Sequence, residues 1–156
     1  MKAATVKELK QELKHCSQEE LVGLCLKLSK FKKDNKELLT YLLYEASNEE
    51  EYIASVKQHI EDEFEEINTS NYYLINKSSR KILRSVKKYI RYSQKKETEV
   101  ELLISFCTAL GNVKPSFNRS TKLTSLYQGQ LAMARKAIEK LHEDLQYDYE
   151  EMINEI

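Results

Sequence analysis

At 156 residues the chain has the length of one domain, and its 32% charged residues, three glycines and one proline favour long helices on short links. Lys plus Arg and Asp plus Glu both total 25, so the formal net charge is zero, which argues against a protein that coats polyanions along its whole surface. No apolar run nears the ~20 residues of a membrane span, and MKAATVKELKQEL lacks a signal-peptide core, so the chain reads as cytoplasmic, with no membrane partner.

Helix starts are legible as a capping residue followed three positions later by Glu: Thr5 with Glu8, Ser17 with Glu20, Asp34 with Glu37, and Asn48 with Glu51. Apolar stripes of helical period follow them. Val6, Leu9 and Leu13 mark a first helix, and Leu21, Leu24, Cys25, Leu28 and Phe31 a second. A third carries Leu38, Leu39, Leu42 and Leu43, and a fourth Ile53, Val56, Ile60, Phe64 and Ile67. Leu74, Ile75, Ile82, Leu83, Val86 and Ile90 mark a fifth. Val100, Leu103, Ile104, Cys107 and Leu110 mark a sixth, with Gly111 placed for a left-handed C-terminal turn. The segment 112–120 holds the sole proline, Pro115, and reads as a loop. From about Thr121 one long helix is expected to the end. Its seam of Leu131, Ala134, Ile138, Leu141 and Leu145 packs on its own domain rather than forming a zipper.

Charge is segregated along the chain. Residues 45–66 hold nine acidic side chains against Lys57 alone, and residues 77–96 hold nine basic ones and no acid. The last eighteen residues are acidic again. Three readings fit. The acidic and basic helices pair with each other, which sets register more than stability. A protein partner reads one charged face. Or nucleic acid docks on Arg80, Arg84, Lys87, Lys88 and Arg91, with Tyr72, Tyr73, Tyr89 and Tyr92 close by.

Signals for chemistry are thin. Gly23, Gly111 and Gly129 are isolated, so there is no phosphate loop. Cys16, Cys25 and Cys107 lack zinc-site or disulfide spacing and read as reduced thiols. Glu139 and His142 have the Glu-x-x-His spacing of a di-iron helix, but no second copy exists. His59 and Glu63 read as a surface pair. No catalytic residue, metal ligand or cofactor is expected.

The segments KELKQELKHCSQEELVGLCLKL (7–28), DNKELLTYLLYEA (34–46), HIEDEF (59–64), SVKKYIRYSQKK (85–96) and ELLISFCTALG (101–111) resemble a bacterial family of small helical proteins, a domain of unknown function. That resemblance implies a bacterial cytosolic protein, helical throughout and non-enzymatic. It carries over no functional residue.

The expectation is therefore a single all-α domain over 1–156, a compact antiparallel helical bundle or short α-superhelical array of about six to seven helices. Its expected work is non-catalytic: an adaptor that recognises a protein partner through a charged helical face. The alternative is a nucleic-acid-binding regulator using 77–96.

Overall fold

A computed structural model describes all residues from Met1 to Ile156. The chain is all-α, with eight α-helices and no strand. It divides into two units, Met1–Tyr44 and Glu45–Ile156.

The first unit holds α1 (Val6–Leu13), α2 (Gln18–Phe31) and α3 (Lys33–Thr40). Both Ser/Thr capping boxes form. Thr5 Oγ1 accepts from the Glu8 amide at 3.3 Å, and Thr5 N–H donates to Glu8 at 2.7 Å. Ser17 and Glu20 repeat the arrangement at 3.2 and 2.7 Å. The reciprocal bonds satisfy two of the four amides that a helix start leaves without partners. The Asp34–Glu37 box does not form. Lys32 takes an extended conformation and opens α3, which leaves Asp34 inside the first turn, where its charge suits the helix dipole. Asn35 Nδ2 instead donates to Leu28 O at 2.8 Å and ties α3 to α2. A π-helical turn, Tyr41–Glu45, carries the chain onward.

The second unit holds α4 (Glu49–Glu65), α5 (Tyr72–Ser93), α6 (Lys96–Asn112), a 3-10 turn at Phe117–Arg119, α7 (Thr121–Ile138) and α8 (Glu143–Asn154). Helix α6 is its axis. Nine of its residues are buried, Val100, Leu102, Leu103, Phe106, Cys107 and Leu110 completely. A helix apolar on nearly every side must be enclosed, and α4, α5, α7 and α8 all pack on α6. Phe106 meets Phe64 of α4 at 5.5 Å between ring centroids. Each such side chain contributes about 1.5–3 kcal/mol on burial, so this layer dominates the unit's stability.

Two local expectations are corrected here. Gly111 has no left-handed backbone and lies within α6, which runs on to Asn112; the one left-handed non-glycine residue is Gln94 (φ 59°), after α5. The expected long C-terminal helix breaks at Glu139. Polar caps hold the break. Gln146 Nε2 donates to Leu141 O at 2.7 Å, and His142 Nδ1 accepts from the Asp144 amide at 3.4 Å. The break reorients α8, burying Tyr149 and Ile153, while Leu141 and Leu145 are only half-buried instead of continuing a seam. It also separates Glu139, at the end of α7, from His142, the N-cap of α8, so they do not share a helix face.

Candidate functional site

Helix α5 displays the basic segment, and its ends are well defined. Asn71 Oδ1 accepts from the Leu74 amide at 2.9 Å, and at the far end Gln94 N–H donates to Ile90 O at 2.9 Å. No glycine or proline interrupts the helix. Its buried side is Ile75, Ser79, Ile82, Leu83 and Val86. At about 100° per residue, Lys77, Arg80, Lys81, Arg84, Lys87, Lys88 and Arg91 fall within an arc of about 120° on the opposite side. The stripe runs about 21 Å along the axis at 1.5 Å per residue. Lys77, Arg80, Lys81, Arg84 and Arg91 are exposed, and Lys87 and Lys88 half-buried.

Six of the seven cations on this face have no carboxylate partner. None of Lys77, Arg80, Lys81, Arg84, Lys87 or Arg91 forms an ion pair. Arg80 Nε makes only a 3.3 Å bond to Asn76. Basic and acidic segments meet at the end of the helix. There Glu49 takes Lys95 at 3.0 Å and also accepts from the Thr98 hydroxyl at 2.6 Å and from the Ser93 hydroxyl. Lys96 is taken by Glu99 of its own helix. Those bonds fix the start of α6 against α4.

The tyrosines divide. Tyr89 and Tyr92 meet edge-on at 6.1 Å, and Tyr89 meets His59 of α4 at 6.0 Å. Both are half-buried in this ring cluster. Tyr72 donates its hydroxyl to Ser116 O at 2.9 Å and anchors the loop before α7. Tyr73 alone stands on the basic arc, 71% exposed.

A second polar cluster joins three helices. Glu101 of α6 accepts from the Tyr149 hydroxyl at 2.8 Å and is ion-paired with Lys57 of α4. Glu97 accepts from the same hydroxyl at 3.2 Å. Burial, then the two carboxylates, push the Tyr149 phenol well above its ordinary value. The proton is thus held on tyrosine as a donor, so the cluster ties α4, α6 and α8 together. Beside it an open groove of about 720 Å³ is floored by Phe64, Ile104, Val113 and Met152. Sequence spacing gave no signal for this cluster, because the residues bonded across it lie more than forty positions apart. Burial also raises the Cys107 thiol to about 12, while its Sγ lies 3.8 Å from Tyr127 O. No three His, Cys, Asp or Glu side chains are grouped to hold a metal ion.

The chain matches no protein-family model, no curated protein and no solved structure. No helix is long and apolar enough to cross a membrane.

Proposed function

We propose that this is a cytoplasmic, non-catalytic interaction protein that docks an acidic segment of a partner protein on the basic face of α5. The carrying observation is that six exposed or half-exposed cations on one helical arc have no carboxylate in the chain. Like charges at i,i+4 destabilise a helix by about 0.2–0.5 kcal/mol each, so an uncompensated stripe runs against stability and is best explained by an external anion. Arg80, Arg84 and Arg91 add planar donor forks, which suit carboxylates in bidentate pairs.

Three features favour an acidic protein over nucleic acid. The chain is formally neutral and lacks the net positive field that gathers polynucleotides. Glu61, Asp62 and Glu65 are exposed on α4, which packs beside α5, and would repel a long polyanion running on past the stripe, whereas an acidic segment no longer than the stripe can lie on α5 alone. Tyr89 and Tyr92 are occupied in ring contacts, which removes them as stacking platforms. A basic arc about 21 Å long fits one acidic helix of about fourteen residues.

Affinity capture with the wild-type chain and with the Arg80→Gln, Arg84→Gln, Arg91→Gln triple variant tests this. The wild type should retain a protein after nuclease treatment, poly-glutamate should release it, and the variant should lose it. Equal capture by both chains excludes the face, and loss on nuclease treatment moves the assignment to nucleic acid.

A further inference from the structure

The first unit presents a surface of a different kind, apolar rather than charged. No residue of α1, α2 or α3 is buried. Leu21, Leu24, Cys25, Leu28 and Phe31 share one side of α2, and Val22 and Leu26 widen the apolar surface beyond half the helix girth. Leu28 is 62% and Phe31 77% exposed. Helix α1 adds Val6, Leu9 and Leu13, which fall on one side of that helix. We propose that this unit is a homodimerisation element, with α2 pairing antiparallel to α2 of a second copy of the chain.

Area and charge both point to a second copy. Nine large apolar side chains of α1 and α2 are exposed, an apolar surface of the kind that the roughly 800 Å² per partner of a stable interface covers. The helices of this 44-residue unit bury no side chain of their own, and association with a second copy would give them a shared apolar core. The seam is centred between Leu24 and Cys25. Antiparallel pairing about that point sets Leu21 against Leu28 of the other copy and Leu24 against Cys25. The flanking charges then become complementary. Glu20 and Lys27 lie on the same flank of α2, so each Glu20 faces the other copy's Lys27, twice by symmetry. A parallel pair sets Glu20 against the uncharged flank of Val22 and Ser29.

Sedimentation of the full chain, with a short bis-maleimide as reporter, decides the matter. The wild type should be a dimer at roughly 100 µM and dissociate on dilution. The cross-linker should join Cys25 to Cys25: Cys25→Ser should abolish the covalent dimer and Cys16→Ser should not. Leu28→Glu should give a monomer that keeps the wild-type helical circular dichroism, since the side chain is exposed in the monomer. Lys27→Glu should weaken dimerisation about tenfold at low salt and less at high salt. A monomer at every concentration overturns the proposal. So does a dimer that survives Leu28→Glu or gives no Cys25 cross-link. None of these readouts depends on a partner of the α5 face.

Discussion

Arg84 stands at the centre of the basic stripe, and replacing it with Gln should stabilise the folded chain. It lies at i,i+4 from Arg80 and Lys88 and at i,i+3 from Lys81 and Lys87, and it makes no ion pair. Two like-charge i,i+4 pairs cost about 0.4–1 kcal/mol, and the i,i+3 neighbours add to that. Gln nearly equals Arg in helix propensity and is exposed here, so little offsets the relief. The expected gain is about 0.5–1.5 kcal/mol, which for a chain of this size is a rise of a few degrees in Tm. Urea denaturation at low salt measures it. At 1 M salt the screening length falls to about 3 Å, and the gain should shrink towards zero. A loss of more than about 0.5 kcal/mol, or a gain indifferent to salt, would show that Arg84 has a favourable intramolecular partner and that the face is not open. The same variant should bind the partner more weakly, opposing its effect on stability.

Other expectations concern the second unit. Ser79 is completely buried and its hydroxyl has no hydrogen-bond partner, so Ser79→Ala should raise unfolding free energy by about 1 kcal/mol; a comparable loss would show that the hydroxyl is bonded. Tyr149→Phe removes two hydrogen bonds to carboxylates and should cost about 1–3 kcal/mol by denaturation; an unchanged midpoint would show that the cluster does not tie α8 down. Ellman's reagent should react with the exposed Cys25 in the dilute, monomeric native chain and reach Cys107 only on unfolding. Cys107 has a folded-state pKa raised from 9.0 to about 12, so above pH 9 the unfolded state holds fewer protons and stability falls. That contribution is complete below about pH 9 and is lost as pH rises towards 12. Cys107→Ala should flatten this part of the pH profile despite its lower overall stability, and an unaltered slope would assign the loss to the tyrosines.

Local rules account for what was legible. The Thr5 and Ser17 boxes involve residues three apart, and the stripes of α4, α5 and α6 follow from one period. Asn48 was legible in half. Its side chain accepts from the Glu51 amide, but Glu51 bonds the Asn48 side chain rather than its backbone. The break between α7 and α8 was hidden because no glycine or proline marks it. It depends on Gln146 and His142 side chains capping backbone groups, an option that periodicity does not register. The basic residues of the face were readable from charge alone. Whether they were paired was not, because Glu49 selects Lys95 through helix packing and leaves Arg84 and Arg91 without a carboxylate. The Lys57–Glu101–Tyr149 tie likewise exists only once α4, α6 and α8 are assembled.

The central claim is that the α5 arc is an open docking face for an acidic protein segment. Its most direct measurement is a titration of the wild-type chain and the Arg80→Gln, Arg84→Gln, Arg91→Gln variant with a fluorescent Glu-rich helical peptide, alongside labelled single- and double-stranded nucleic acid, across a salt series. The account predicts saturable peptide binding by the wild type, weakened by salt, lost in the variant, and stronger than binding to either nucleic acid. Equal peptide binding by the two chains, or no binding at low salt, would contradict it.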